Sequence, residues 1–408
     1  MARTKLKLKS IASGTIPGRI KIASENITAG SVDSDAMGAG AISPAKLNAI
    51  AQRGGGGNKN LIINGAMNVA QRATSATGIG TAAAYNTVDR WRFADANNPP
   101  ARFTQTQSTD APDGFSSSHK FEVTTNDSSV DDDEMQFTDQ FIEAQNLQLL
   151  KYGTSSAVSI TLSFYVKSSV ASTMGLRINH EDGGGNYGAS YTINSVNTWE
   201  RKSITVPGNT ATAINNDNGK GLRIGFALSA GADYAGSNST AWGNGNTFGA
   251  HTNTFVGTSS ATWQITGVQL EIGDVATEFE HEPYERTLLK CQRYFYAVHQ
   301  DYGPSSSNYS FMGSGIYYTS SNINAAVTFP VAMRAIPTAT VDFGSSGNQG
   351  FISYTNNSLD YIGSSASINM PSIYGTFIQF GDGSGTGGHT GMVATQYDDQ
   401  SFSFSAEL

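Results

Sequence analysis

An apolar residue recurs at every fifth position near the start of this chain of 408 residues. The positions in register are Ile22, Ile27, Val32, Met37, Ile42 and Leu47, and Ile11 and Ile16 precede them with the same spacing but one residue out of phase. This spacing matches neither the helical repeat of about 3.6 residues nor the strand repeat of about two, so one chain cannot bury all these side chains. Several chains wound about a common axis can bury them together, which predicts an intertwined stalk. The alternative is a disordered, low-complexity leader.

The glycine run Gly54–Gly57 predicts a flexible linker. Short segments of alternating polarity fill most of the chain beyond it. Within residues 159–166 the apolar members of the alternation are Ile160, Leu162, Phe164 and Val166. This pattern predicts a strand with one face toward a core. With 45 glycines and only 14% charged residues, the composition also favours β-structure over long helices. The sequence therefore predicts an all-β protein built on antiparallel sandwiches.

One helix is predicted after the first β-rich region, beginning near Pro283, which suits a first helical turn. Apolar residues spaced alternately four and three apart follow it, and they are Tyr284, Leu288, Cys291, Phe295 and Val298. The spacing is typical of a seam through which helices associate. The same residues could instead pack one helix against a neighbouring sandwich, and the sequence leaves both interpretations open.

Charge and cysteine content exclude several classes of protein. The net charge of −8 disfavours a nucleic-acid partner, because phosphate binding needs a basic stripe and the sequence shows none. The single cysteine, Cys291, excludes an intrachain disulfide and predicts synthesis in a reducing cytoplasm. We find no apolar run long enough to span a bilayer and no signal-peptide pattern. We therefore expect neither membrane insertion nor secretion by the usual route.

Three segments of the chain have a distinctive order and content. They are Asn60–Trp91, which opens NLIINGAMNVAQRAT and closes YNTVDRW, Ile265–Phe295, and FPVAMRAIPTATV at Phe329–Val341. These segments resemble bacteriophage and prophage tail fibre proteins that carry a carbohydrate-binding-module-like jelly roll. The order, spacing and content of these segments resemble that family across residues 60–340. The five-residue repeat is also similar to the stalk repeats of such fibres.

This resemblance implies a homotrimeric tail fibre, made in the host cytoplasm and located in the virion. Its N-terminus would attach to tail tube, adaptor or baseplate proteins. The implied layout is a tail-attachment and stalk segment at 1–53, a glycine-rich linker at 54–59, a jelly-roll carbohydrate-binding-like domain at 60–282, a linking helix at 283–299, and a C-terminal β-sandwich facing the receptor at 300–408.

Candidate binding residues follow from the chemistry of sugar recognition, in which aromatic rings stack on the sugar and polar side chains bind its hydroxyls. Aromatic residues in polar loops are therefore the candidates, namely Tyr187, Tyr191, Tyr234, Trp242, His251, Tyr317 and Tyr318. Packing in a core or at a subunit interface is the alternative for each of them. Trp91, Trp199 and Trp263 lie in strand-like contexts and are predicted to be core residues.

No metal, cofactor or catalytic site is predicted. Related modules hold a structural calcium with acidic residues in their first and last strands, but those places here carry Ala66–Met67–Asn68 and Thr266–Gly267. The six histidines are scattered without metal-ligand spacing. Carboxylates occur in the run Asp131–Glu134 and in Glu181–Asp182, where solvated surface charge is the ordinary explanation.

The sequence thus predicts a phage tail fibre that mediates adhesion to a host surface, with polysaccharide as its receptor and without catalysis. One alternative is a tailspike-type capsule depolymerase, which would need two carboxylates roughly 5 to 9 Å apart across a sugar. The other alternative is a purely structural spacer within a fibre.

Overall fold

Antiparallel β-sheets dominate a computed structural model of the protein, which describes residues 59–408 apart from 246, 300–309, 344–350, 356–357, 363–364, 382 and 396–400. The predicted stalk residues Ile22, Ile27, Val32, Met37, Ile42 and Leu47 lie outside these described residues, so the intertwined stalk stays a prediction. None of the helices in the described ranges has the length and apolarity needed to cross a membrane.

The first β-rich region contains eleven strands in the described residues. They are β1 (Ser75–Ile79), β2 (Arg92–Ala96), β3 (Arg102–Ser108), β4 (Ser118–Thr125), β5 (Met135–Glu143), β6 (Ile160–Ser168), β7 (Thr173–His180), β8 (Asn186–Thr192), β9 (Glu200–Val206), β10 (Lys220–Ala230) and β11 (Thr262–Ile272). A 3₁₀ helix at Ala144–Leu150 and a short helix α1 at Thr254–Gly257 interrupt them.

These strands form two sheets that face each other. The six-stranded sheet has the order β1-β3-β4-β11-β6-β9, and the five-stranded sheet has the order β2-β5-β10-β7-β8. The paired strands run antiparallel throughout. The predicted antiparallel sandwich is confirmed.

Side-chain alternation fills the space between the two sheets, as the sequence pattern predicts. On β6 the apolar residues Ile160, Leu162, Phe164 and Val166 have no exposed surface. The ring of Phe226 on β10, in the opposite sheet, lies 5.1 Å from that of Phe164. Aromatic pairs of this kind contribute about 0.5–1.5 kcal/mol beyond their buried area.

Two of the three predicted core tryptophans are confirmed, since Trp91 and Trp263 are fully buried. Trp199 is different because it lies half-buried at the start of edge strand β9. Its indole N–H donates to Asp110 Oδ1 at 3.3 Å, and the Lys167 ammonium lies 5.3 Å from its ring centroid. The core prediction for Trp199 is therefore wrong, because an edge strand leaves one flank of its first residues open to solvent.

The predicted linking helix is shorter than the sequence pattern indicated. Helix α2 spans Tyr284–Gln292, and Phe295–His299 forms strand β12. Phe295 and Val298 therefore lie on a strand, paired with Ser405 and Phe402, so a helical seam through them is wrong. The aromatic and apolar residues after Arg293 gain a full ladder with the last strand of the chain, which outweighs helical propensity.

The first half of that seam also does not form one buried stripe. Cys291 is fully buried, but Tyr284 is 55% exposed, and Leu288 is half-buried. Burial raises the pKa of the Cys291 thiol well above its usual value. The cysteine therefore behaves as a small packed side chain and remains protonated near neutral pH.

The C-terminal region forms a second, smaller sandwich in the described residues. Its remaining strands are β13 (Ser310–Tyr317), β14 (Ile323–Thr328), β15 (Thr338–Asp342), β16 (Phe351–Thr355), β17 (Ser358–Ile362), β18 (Ala366–Asn369), β19 (Gly375–Phe380), β20 (Thr390–Thr395) and β21 (Ser401–Ser405). A three-stranded sheet, β12-β21-β15, packs against a seven-stranded sheet, β17-β16-β20-β13-β14-β19-β18. Phe380 and Phe402 meet between them with ring centroids 5.5 Å apart.

The two sandwiches contact each other through the end of the chain and belong to one compact unit, Arg53–Leu408. Glu407 pairs with Arg90, whose side chain is fully buried, and with Arg72 at 3.2 Å. The Arg90 guanidinium also lies 3.5 Å from the ring centroid of Tyr294 and donates to Phe141 O. A buried charge pair of this kind is costly to break from one side only.

Candidate functional site

Three of the predicted binding tyrosines are buried in the cores. Tyr187 and Tyr191 lie on β8 with 8% and 6% of their surface exposed, and the Tyr191 hydroxyl accepts a bond from Trp263 Nε1 at 3.1 Å. Tyr317 is 1% exposed beneath Gly383 and Gly385. A stacking role for these three rings is therefore corrected to a packing role, because none presents a free face to a sugar. Their strand alternation turns them inward, a direction that their polar loop-like flanks concealed.

The long polar loop after β10 lies on the outer face of the five-stranded sheet. Its Phe248 is fully buried and packs on Phe137, and Tyr234 lies partly buried against the same cluster. Trp242 is half-buried beside Tyr152 and Tyr187, and its indole N–H donates to Pro207 O at 2.6 Å. The loop thus covers one part of the sheet and leaves the neighbouring part open.

His251 and Tyr318 complete the predicted set, and the structure separates them. The Gly175 N–H donates to His251 Nδ1 at 3.0 Å, and burial lowers the pKa of His251 to about 4. His251 is therefore neutral near pH 7 and anchors the loop on β7. Tyr318 lies in the C-terminal sandwich and is 72% exposed, so its ring remains available to a partner.

Charged side chains line up across the open part of the five-stranded sheet. Strand register places Arg92, Asp139, Gly225 and Arg177 in one row, since each is paired with the next. The adjacent row on the same face contains Phe141, Arg223, Asn179 and Asn186. Lys220 and Glu181 lie at its rim, where Glu181 N–H donates to Gly221 O. We call this set, Arg92, Asp139, Arg177, Glu181, Lys220 and Arg223, the arginine face.

A buried carboxylate organises the arginine face. Asp139 has no exposed side-chain surface and accepts two bonds from Arg92, Nε to Oδ1 at 3.0 Å and Nη2 to Oδ2 at 2.7 Å. Arg223 Nε donates to the same Oδ2 at 2.7 Å. Such charge-assisted, forked bonds hold planar guanidinium groups in a fixed orientation.

Aromatic rings form the floor beneath these cations. The guanidinium of Arg177 lies 4.4 Å from the ring centroids of both Phe137 and Phe248. The Lys220 ammonium lies 4.2 Å from the ring centroid of Phe141, and the Arg92 guanidinium lies 4.7 Å from the same centroid. Each contact of this kind stabilises by about 0.5–2 kcal/mol, depending on how far it is desolvated. The rings are therefore covered by cations and position them, instead of stacking directly on a ligand.

Three of the four cations retain access to solvent at the outer surface, whereas Arg177 is fully buried. The side chains of Arg92 and Arg223 are 17% and 14% exposed, Glu181 is 26% exposed, and Lys220 is exposed. Three of the guanidinium donors on Arg92 and Arg223 bind Asp139, and the remaining donors face no carboxylate within hydrogen-bond distance in the described residues. The arrangement can therefore bind an oxygen-rich ligand through several fixed donors.

The sequence did not reveal the arginine face, because its members come from separate strands far apart in the chain. The fold brings them together only through the crossed strand order of the five-stranded sheet. A usable signal was present for two of them, since Arg177 and Arg223 each interrupt a strand with several apolar residues. A charge that survives in a buried strand needs a partner, and Asp139, Arg177 and Arg223 provide much of each other's environment.

A second aromatic group lies on the outer side of the six-stranded sheet. Phe115 packs 5.4 Å from Tyr165, 5.0 Å from Phe279 and 5.0 Å from His281 between ring centroids. Gly267 makes room for it, because its φ is +60° and an added Cβ would lie 2.7 Å from the Phe115 ring.

A cavity of about 720 Å³ lies between the edge of β5 and helix α2. Its charged groups already bind one another, since Arg293 donates to both carboxylate oxygens of Glu143 at 2.7 and 2.9 Å. The Tyr294 hydroxyl donates to the same carboxylate. The charged side chains in the cavity walls therefore stabilise the junction between the sandwiches.

Two of the carboxylates considered for catalysis, Glu134 and Asp182, bind neighbouring residues. Asp131, Asp132 and Asp133 are exposed, and Glu134 Oε2 accepts a bond from Asp131 N–H at 3.2 Å. Asp182 accepts bonds from the Asn215 backbone and side chain at 3.0 and 3.1 Å. Across the described residues there is no group of three or more His, Cys, Asp or Glu side chains placed to hold a metal ion.

Comparisons with known proteins give similarity at the level of solved structures. The chain is similar to tailspike protein 4 of bacteriophage CBA120, in its enzymatically active domain, with 12% identity, 52% of this chain and 21% of that chain covered, and a TM-score of 0.29. It is similar to a family 11 carbohydrate-binding module of Clostridium thermocellum in complex with a mixed-linked tetrasaccharide, with 13% identity, coverage of 50% and 99%, and a TM-score of 0.24. It is also similar to the CBM22-1 xylan-binding domain of Paenibacillus barcinonensis, with 10% identity, coverage of 50% and 94%, and a TM-score of 0.25.

No family model and no curated protein matches the sequence. The fold assignment rests on the strand order and register of the sheets themselves.

Proposed function

We propose that the protein is a phage tail fibre that binds a polysaccharide on the host cell surface through the arginine face. The observation that carries this proposal is the row of fixed guanidinium donors on an open sheet face, organised by the buried Asp139. Sugars present many hydroxyl and acid oxygens in defined directions, and preorganised donors bind them without losing side-chain freedom. The resemblance of residues 60–340 to tail fibre proteins supports the biological setting.

The fibre is a homotrimer in this proposal, joined by its N-terminal stalk and attached to the tail through that end. Three copies bring three arginine faces to one surface, so weak single contacts gain strength by multivalency. Mass measurement of the intact protein tests this part, beside a variant that lacks residues 1–53. We expect three chains in the intact protein, and a single chain would contradict the stalk.

Binding without turnover distinguishes this function from its two alternatives. The full-length protein is incubated with host cells and with cells stripped of their surface polysaccharide, and adsorbed protein and released sugar are measured together. We expect adsorption to the intact cells alone, with no released oligosaccharide. Release that is lost on replacing Asp132 or Glu181 would indicate a depolymerase, and no adsorption to any cells would indicate a structural spacer.

A further inference from the structure

Positive charge is in excess on the arginine face, although the chain as a whole carries a net charge of −8. Its cations are Arg92, Arg177, Lys220 and Arg223, and its carboxylates are Asp139 and Glu181. Asp139 already binds two of the cations, and Glu181 Oε1 lies 3.9 Å from Arg223 Nη1. The face therefore holds more cations than its own carboxylates neutralise.

These cations also disfavour one another's charge. Burial and, after it, the neighbouring Arg223 lower the pKa of Arg177 to about 9. Burial lowers the pKa of Lys220, and Arg92 and Arg223 add to this effect. Like charges held together in a partly desolvated site are stabilised when a ligand anion joins them.

We propose that the arginine face selects an anionic polysaccharide, one whose sugars carry carboxylates, and this inference rests on the proposed function. A uronate carboxylate matches the planar guanidinium fork, and Arg223 has donors left at Nη1 and Nη2 after its bond to Asp139.

The same face is poorly suited to a nucleic acid. Nucleic-acid binding uses a continuous basic surface that follows a phosphate chain, and Asp139 and Glu181 interrupt this one. The negative charge of the whole chain also repels a long polyphosphate. A polysaccharide with one acid per sugar or per repeat places its charges farther apart and avoids much of this repulsion.

A comparison of matched polymers tests the inference on the full-length protein. The probes are polygalacturonate, alginate and hyaluronan, each beside its carboxyl-reduced form, with a double-stranded DNA fragment as a further polyanion. We expect at least one acidic polymer to bind at least tenfold more tightly than its reduced form, and to weaken as salt rises. DNA is expected to bind at least tenfold more weakly than that polymer.

Variants assign the effect to the arginine face. Arg223→Gln and Lys220→Gln are each expected to weaken binding of the acidic polymer at least threefold, and to weaken binding of the reduced form by a smaller factor. Lys220 is exposed, so its replacement tests the face even if Arg223→Gln disturbs folding. Lys120→Gln on the six-stranded sheet is the matched control and is expected to bind as the parent protein does.

Three results would overturn the inference. Equal binding of acidic and reduced polymers would mean that charge is not selected, while the proposed adhesion function would stand. Equal binding of DNA would indicate general attraction to polyanions. Binding to none of the polymers would also reject it, and the cell-adsorption experiment would then decide separately whether the fibre binds host polysaccharide at all.

Discussion

The two sandwiches of this protein achieve stability in different ways. The first has strands of nine to eleven residues in the middle of both sheets, and its aromatic core joins the two layers. The C-terminal sandwich has described strands of four to eight residues and a smaller core, and Ile316, Phe377 and Met392 are exposed on its seven-stranded sheet. Its Glu407 side chain also forms an ion pair with the buried Arg90 of the first sandwich. The comparison suggests that the first sandwich supports itself and that the second is completed by docking.

The largest expected effect comes from removing the ring that joins the layers of the first sandwich. Phe226→Ala should lower the free energy of unfolding by about 3–5 kcal/mol, because it leaves a cavity among Trp91, Phe164 and Trp263. Hydrogen exchange should show loss of protection in both sandwiches, since the second depends on the first. Phe402→Ala is the matched variant, and it should lower protection in the C-terminal sandwich alone. If each of the two variants lost protection in both sandwiches, the proposed dependence of the second sandwich on the first would be contradicted.

Breaking the contact between the sandwiches should have the next largest effect. Glu407→Gln leaves Arg90 buried without its carboxylate and should cost about 3 kcal/mol. Thermal unfolding should then separate into two transitions, with the C-terminal sandwich melting first. Glu285→Gln on the exposed side of α2 is the control and should be neutral. The double variant Arg90→Met with Glu407→Leu should recover much of the loss, because it removes both buried charges.

Acid should destabilise the first sandwich through its buried histidines. Burial lowers the pKa of His119 to about 3 and that of His251 to about 4. Both stay neutral in the folded protein while the unfolded chain takes up protons below about pH 6.5, so the stability they support is present above that pH and is lost as pH falls. Each should account for about 2 kcal/mol between pH 7 and pH 5.

Replacing one histidine measures this effect directly. His119→Gln should flatten the dependence of the melting temperature on pH between 7 and 5. Asp89 acts in the opposite direction, because burial raises its pKa to about 6, so folding favours its protonated form as pH falls toward 4. An unchanged pH slope in His119→Gln would show that the ring is not held neutral.

The smallest effect on stability is expected at the exposed aromatic of the C-terminal sandwich. Tyr318→Ser should change the free energy of unfolding by no more than about 0.5 kcal/mol, because 72% of the side chain is exposed. Cell adsorption should also be unchanged if the first sandwich carries the binding site. Adsorption lost in this variant would move the receptor contact to the C-terminal sandwich.

Much of the fold could be predicted from the sequence, because strand alternation is a local signal. The pattern around Phe164 identified its strand and its buried face. The end of helix α2 could not be predicted, because Phe295 and Val298 fit a helical stripe as well as a strand. Their pairing with a strand more than a hundred residues later decided between the two.

The candidate site was harder to predict, because aromatic content alone does not show which way a ring points. Tyr191 has polar neighbours in sequence and yet faces inward. The arginine face depends on the register among four strands, and no spacing within the sequence encodes it. Polar side chains inside apolar strands, such as Arg177 and Arg223, were the more informative feature.

Equilibrium binding of purified host surface polysaccharide to the full-length protein and to its Arg223→Gln variant tests the central claim most directly. If the arginine face is the receptor site, the parent protein binds and the variant, folded to the same melting temperature within a few degrees, binds at least threefold more weakly. Equal affinity of the two proteins would contradict that assignment and place the receptor contact elsewhere on the molecule.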